Sequence, residues 1–253
     1  MPHLAFAFNF TDLPTGLTLA AMHRAFARID RFVVYSQMER DLYAELFDVP
    51  VEKFQFLRWG VAPPILEPAP REIDGTYVAA LGGEARDYAT LCAAAKKLPQ
   101  TSFVLITRPD SLNGIEVPEN VTIHTNLPWD RAWSILWHAE VVALPLRSKD
   151  TPNGHVTAVG AMHLGKAQVI TDSAGIRDYF MDGETALLVP PHDPAAFAAS
   201  IERALEDRSL RQKLGGASKV FAATHCSESV TVEFFRAQLT EMLRSDSAGR
   251  KIQ

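Results

Sequence analysis

Read for apolar and polar positions, the chain breaks into short β-rich runs separated by stretches of helical spacing. Nine runs predict strands: HLAFAFNF (3–10), RFVVYS (31–36), KFQFLRW (53–59), TYVAAL (76–81), SFVLIT (102–107), VTIHT (121–125), EVVALPL (140–146), AQVIT (167–171) and ALLVP (186–190). Between them lie helices. Leu19, Met22, Phe26 and Ile29 share one face of the first, and Phe197, Ile201 and Leu205 share a face of a later one opened by Asp193-Pro194. The last predicted helix buries Val232, Phe235, Leu239 and Met242, and the tail SDSAGRKIQ, with no apolar periodicity, is expected to fray. Strands alternating with helices throughout predict an α/β protein with a Rossmann-like parallel sheet flanked by helices.

The pattern changes at WGVAPPILEPAPRE (59–72), where four prolines precede a new strand. Such a stretch reads as a linker. Before it only two βα units fit, and after it a full sheet fits. The expected organisation is therefore a partial α/β N-terminal segment over 1–59, a complete domain over 60–228, and a terminal helix with its tail over 229–253. Two βα units are too few to close a sheet. Strands 3–10 and 31–36 are expected to expose an edge, and the first helix to expose Leu19, Met22 and Phe26, so the chain is expected to form a homodimer or to take a partner subunit. The alternative is that the terminal helix folds over this patch.

Composition narrows the partners. A net charge of -5 and a pI near 5.9 leave no basic face for nucleic acid. No apolar run approaches the roughly 20 residues that span a bilayer, and the start of the chain lacks a basic-then-apolar leader, so the expected location is cytoplasmic. Cys92 and Cys226 lack C-x-x-C spacing and read as ordinary thiols. The eight histidines show no HExxH spacing, there is no Asp-x-Asp, and no metal or cofactor is expected. No G-x-S-x-G nucleophile motif is present.

GAMHLGKA, Gly160 to Ala167, is one residue short of the P-loop G-x-x-x-x-G-K-[ST]. A P-loop runs from strand through glycine loop into a helix, whose N-terminus then faces the phosphates. Here a helix precedes Gly165 and the strand AQVIT follows it, so Gly165 is expected to end a helix, and a phosphate there would meet the negative end of the dipole. The better anion site is the other end of the same helix, at Asn153, Gly154, His155, Val156 and Thr157, just after the strand ending ALPL. His155 and Thr157 either bond a ligand there or merely cap the helix. Arg147, Lys149 and Asp150 form a polar loop that is either the rim of a site or solvated surface.

The order GHVTAVGAMHLGKAQVITDSAGIRDYFMDGETALLVPPHDPAAFAASI resembles the donor-binding half of family-4-type glycosyltransferases of the GT-B fold. In that family an E-x7-E segment ends in EAM, a GKPVI strand and a glycine turn follow, and DG-x-x-G-L-L-V-P-x-x-D closes the block. Here GAMHLGKAQVI, SAGIRDYF and DGETALLVPPHD correspond. Upstream, RFVVYSQMERDLYAELFDVPVEKFQFLRWGV resembles the family's passage out of its N-terminal domain, and ALGGEARDYATLCAAAKKLP its glycine loop. The resemblance covers roughly residues 28 to 245. It implies transfer of a sugar from a nucleotide diphosphate sugar to an unknown acceptor, with retention of configuration. By the resemblance, Gly82, Gly83 and Arg86 face the diphosphate, Asn126 and Leu127 sit near the nucleobase, and Asn153 to Thr157 face the donor. The alternative for Arg86 is a solvated arginine at a helix start. The chain departs from the family pattern at both glutamates, which fall on Pro152 and Gly160. That departure, with the short N-terminal segment, keeps two other readings in play: a non-catalytic nucleotide-sugar binding or partner subunit, and an inactive fragment of a longer glycosyltransferase.

Overall fold

The computed structural model describes residues 2–6, 10, 12–147 and 153–250, and the side chains of these up to residue 244. Two parallel sheets form. The smaller contains β1 (Leu4–Ala5), β2 (Arg31–Val34) and β3 (Phe54–Phe56) in that spatial order, linked by the crossover helices α1 (Gly16–Phe26) and α2 (Gln37–Phe47). Ser36 caps α2 by accepting the Glu39 N–H at 3.0 Å.

Aromatic rings hold this unit. Phe32 stacks on Phe54 at 4.6 Å, and Phe26 sits 5.1 Å from Phe32 and 4.5 Å from Phe47. Leu19, Met22, Phe26 and Ile29 all pack, partly buried, against the cluster containing Phe32, Tyr43 and Phe47. The exposed helix face expected from the sequence is thus covered inside the unit, because α1 lies back on its own small sheet. β2 is also paired on both sides, leaving β1 rather than β2 at that edge. Residues 7–9, within the predicted first strand, lie outside the described residues.

The larger sheet contains β4 (Tyr77–Leu81), β5 (Ser102–Thr107), β6 (Val121–Thr125), β7 (Val141–Leu144), β8 (Ala167–Thr171) and β9 (Leu187–Val189), in the order β6-β5-β4-β7-β8-β9. Each falls within a predicted run. The helices are α3 (Tyr88–Lys97), α4 (Trp129–His138), α5 (His155–His163), α6 (Pro194–Glu206), α7 (Arg208–His225) and α8 (Glu228–Arg250). Along β4 the faces alternate. Val78 and Ala80 pack with Leu91 of α3 and Phe197 and Ile201 of α6, while Tyr77 and Ala79 pack with Trp133 and Leu136 of α4. A sheet covered on both faces explains why its strands read as nearly continuous apolar runs. Asp193 accepts the Ala195 and Ala196 N–H groups at 3.0 and 2.9 Å, capping the helix that Pro194 opens.

Gly165 ends α5 as expected. Its φ is +68°, its N–H donates to the Met162 carbonyl at 2.8 Å, and the Lys166 N–H donates to the Ala161 carbonyl at 3.0 Å, the pair of bonds of a Schellman turn. The Lys166 ammonium donates to the Ala139 carbonyl at 2.9 Å and holds no loop for phosphate.

The terminal helix departs from its reading in two ways. Its backbone is helical to Arg250 rather than frayed from Ser245. Of its expected apolar stripe only Met242 is buried and Phe235 half-buried, while Val232 and Leu239 are each 49% exposed. The helix crosses back to the small sheet: Arg31 donates to Gln238 at 2.6 Å and pairs with Glu241 at 2.9 Å, and Phe6 meets Phe235 edge-on at 5.0 Å. A tether of mixed polar and aromatic contacts does not demand a continuous apolar stripe. Among the described residues, no helix is long and apolar enough to cross a membrane.

Candidate functional site

Strand order in the larger sheet reverses at β4, whose neighbours are β5 on one side and β7 on the other. Loops leaving two such strands turn to opposite faces of the sheet and leave a crevice at their carboxyl ends. A cleft of ≈ 740 Å³ opens there, and the ten residues that the sequence analysis places at a donor site line it, while Arg147 of the polar loop does not.

The loop after β4 forms one wall. Gly82 has a φ of +131°, and a β-carbon there would come within 2.5 Å of the Arg86 guanidinium. The loop therefore closes over an arginine side chain that only glycine leaves room for. Ala85 is left-handed at φ 52°, and Asp87, not Arg86, caps α3 by accepting the Thr90 N–H at 3.0 Å. Arg86 folds back instead. Its Nε and Nη2 donate to the Leu81 carbonyl, both at 3.3 Å, Nη1 to the Glu84 carbonyl at 2.9 Å, and Nη2 to the Thr157 hydroxyl at 3.1 Å. Four bonds from five N–H groups leave little capacity for a ligand without rearrangement. Burial pulls its pKa down. It is not the solvated helix-start arginine that was the alternative reading.

The N-terminus of α5 forms the adjoining wall. Gly154 is left-handed at φ 88°, with Leu146 and Leu144 methyl groups packed where its side chain would be. The first intrahelical bond runs from the Ala158 N–H to the Gly154 carbonyl at 2.9 Å, so the amides of His155, Val156 and Thr157 precede the ladder. Its N-cap residue is glycine, which has no side chain to cap it. Thr157 donates across the cleft floor to the Leu81 carbonyl at 3.2 Å, and Asn153 is buried in the cleft lining.

His155 is buried, its ring 4.6 Å from that of Tyr179. Desolvation pushes its pKa down to about 4; the Gly175 carbonyl opposes this and the Arg86 charge adds to it. Nε2 lies 3.4 Å from that carbonyl, which can only accept, so the hydrogen belongs on Nε2 and Nδ1 presents a lone pair. A neutral ring in this tautomer offers an anion its backbone amide, not its side chain.

The third wall follows β6. Asn126 is left-handed at φ 55°, and Leu127 packs against the core under α4. Trp129 and Trp133 come next, one helical turn apart with rings 5.5 Å from each other. Trp129 is 60% exposed, and its Nε1 donates to the Pro64 carbonyl at 3.1 Å. Trp133 is buried and occupies the space beside Gly160: a β-carbon at Gly160 would meet three atoms of the indole ring, two of them at 2.7 and 2.8 Å. Gly160, one of the two positions where the resemblance calls for glutamate, thus faces an aromatic ring with no room for a side chain. The other position, Pro152, lies outside the described residues, as do Lys149 and Asp150. Arg147 is exposed, its N–H bonded to the Ala85 carbonyl at 3.0 Å.

The small sheet supplies the far edge through Tyr35 and Trp59, whose rings meet edge-on at 5.0 Å. Tyr179 ties them together: its hydroxyl accepts the Trp59 N–H and donates to the Tyr35 carbonyl, both at 2.7 Å. Beneath Tyr35 is a buried carboxylate. Glu39 accepts the Tyr35 N–H at 2.7 Å and the Tyr43 hydroxyl at 3.2 Å, and burial nevertheless pushes its pKa up to about 7.

Sequence reasoning missed several lining residues: Arg108 and Glu84 at the mouth, Trp129 and Trp133, Tyr35 and Trp59. Arg108 was findable, since it is the first residue past β5 and so sits at a carboxyl strand end as Gly82 does. The tryptophans carried no such signal, because their spacing of four reads as ordinary helix core. Among the described residues, no group of three or more His, Cys, Asp or Glu is placed to hold a metal ion.

Residues 110–221 match the family described as Glycosyl transferases group 1. A stretch of 96 residues is 32% identical to D-inositol 3-phosphate glycosyltransferase of Corynebacterium diphtheriae, covering 38% of this chain and 22% of that protein's length. Among solved structures, Anabaena HepE in complex with UDP and glucose superposes with a TM-score of 0.78 at 15% identity, over 96% of this chain and 72% of that one. Sucrose-phosphate synthase of Thermosynechococcus elongatus gives 0.75 at 19% identity, over 90% and 62%. A glycosyltransferase of Rickettsia africae gives 0.74 at 12%, over 95% and 70%. The fold, two parallel α/β units with a cleft between them, is that of these GT-B proteins.

Proposed function

We propose that this chain, whose residues 110–221 form a group 1 glycosyltransferase domain of the GT-B type, binds a nucleoside diphosphate sugar in the cleft at the switch point and transfers the sugar, with retention, to an acceptor held towards Tyr35 and Trp59. The observation that carries the reading is the ≈ 740 Å³ cleft, into which the N-terminal amides of α5 and the glycine loop after β4 both open. Backbone amides at a helix N-terminus suit an anion. No metal is needed in this proposal: the leaving diphosphate is stabilised by α5 and by arginine. The boundary near residue 59 and a cytoplasmic location belong to the same proposal, as does pairing with a second copy or a partner subunit along the β1 edge. Light scattering at tens of micromolar tests the last, and a clean monomer at that concentration counts against it.

A second reading has its own support. Gly160 faces the Trp133 ring rather than carrying a carboxylate, which suits a nucleotide-sugar binding subunit without transfer activity. Calorimetry with UDP, GDP and ADP in chelator separates the cases when paired with turnover of UDP-glucose. Binding with release of UDP supports the transferase, and binding without turnover supports the binder. Strict dependence of binding on magnesium would overturn the metal-free site.

A further inference from the structure

The cleft holds two arginines in different states. Arg86 is committed to two carbonyls and a hydroxyl. Arg108 is not. Its Cγ and Cδ lie over Gly83, where a β-carbon would collide with them, and its guanidinium pairs with the Glu84 carboxylate across the mouth of the cleft. Both partners are well exposed, at 60% and 61% of their side-chain surface. An ion pair that wet biases its two charges towards each other by no more than about fivefold. The two loops carrying the pair are otherwise fixed. Thr107 donates to the Gly82 carbonyl at 3.0 Å and Ser111 to the Gly83 carbonyl at 3.3 Å, so the exposed Arg108 side chain can rotate while the two loops stay joined.

We propose that Arg108 and Glu84 form an exchangeable latch: Glu84 occupies the guanidinium while the cleft is empty, and the diphosphate of an entering nucleotide takes the guanidinium from it. This rests on the proposed donor site and adds to it the residue that delivers mobile charge. A guanidinium fork matches two phosphate oxygens, and a diphosphate carries more charge than one carboxylate, so the exchange favours the ligand. Glu84, displaced but still at the mouth, then repels the diphosphate. The carboxylate is thereby a built-in competitor that weakens diphosphate binding and speeds product release.

The test is calorimetry with UDP and with uridine on the full chain, for wild type, Arg108→Gln, Arg108→Lys, Glu84→Gln and the double variant, each checked for intact fold by circular dichroism. Arg108→Gln is expected to weaken UDP about tenfold or more and leave uridine within about twofold, since only UDP carries the diphosphate. Glu84→Gln is expected to tighten UDP by about threefold to tenfold. Arg108→Lys should recover part of the loss, and in the Arg108→Gln background the gain from Glu84→Gln should shrink. If wild type binds UDP while Arg108→Gln stays within about twofold, or if Glu84→Gln weakens UDP, the latch is wrong and the donor site stands. If wild type binds none of UDP, GDP or ADP, the donor site and the latch fall together.

Discussion

Glu39→Gln turns a buried carboxyl into a measurement. In the folded chain burial holds this group's pKa at about 7 against its ordinary 4.5, a gap of about 2.5 pH units. The folded state therefore binds the proton more tightly than the unfolded state. Its stabilising contribution is full below about pH 4.5 and is lost as pH rises through about 7. At about 1.4 kcal/mol per pH unit the limiting cost of ionising Glu39 in place is roughly 3.5 kcal/mol, of which about 2.5 falls between pH 5 and pH 8. Glutamine does not titrate. It can keep the Tyr35 N–H by turning its oxygen that way, and its amide can donate to the Tyr43 oxygen, at a cost of about 1 kcal/mol for the acceptor lost. Urea unfolding followed by far-UV circular dichroism, at several pH values for both proteins, gives the stability difference directly. The variant should gain on wild type by about 2.5 kcal/mol as pH rises from 5 to 8. A difference that stays flat across that range would show that the carboxyl is already ionised at low pH and that water reaches it.

Three further outcomes are expected. Lys166→Ala should leave UDP affinity within about twofold by calorimetry and cost about 0.3–1 kcal/mol of stability, since its ammonium serves the Ala139 carbonyl at the far end of α5. Gly160→Ala should destabilise by about 1–3 kcal/mol in chemical unfolding through its collision with the Trp133 ring, and by clearly less in a Trp133→Leu background. Tyr179→Phe removes the hydroxyl that accepts the Trp59 N–H and donates to the Tyr35 carbonyl, so thermal unfolding should report a loss of about 1–3 kcal/mol, and increased hydrogen exchange should concentrate at the Trp59 amide.

The sheet was legible because its strands are short, apolar and punctuated: SFVLIT, VTIHT and AQVIT match their strands residue for residue. The site was legible as a place, since strand ends and a glycine loop announce it. What those side chains do there was not. Nothing in GGEARD says that Arg86 turns inward onto Leu81, because that depends on the positive φ at Ala85 and on Thr157, 71 residues away. The exposed face of α1 was misjudged for a related reason. Counting βα units shows how many strands exist but not that a three-stranded sheet with Phe32, Phe47 and Phe54 suffices to cover one helix face. Likewise the stripe on α8 has the right spacing, yet spacing cannot tell a helix packed on a core from one tethered by mixed contacts such as those of Arg31 and Phe6.

The contact between Gly160 and Trp133 also sets the order in which this sequence can change. A carboxylate at 160 is costly if it arrives first, because its β-carbon already collides with the indole while Trp133 stands there. Shrinking Trp133 first is no easier, since truncating a buried tryptophan costs about 3–5 kcal/mol, a large share of what holds a domain folded. Each single step leads downhill in stability and only the pair restores a filled site. For a mutating population the two positions are therefore coupled, and they change at least cost when they change together.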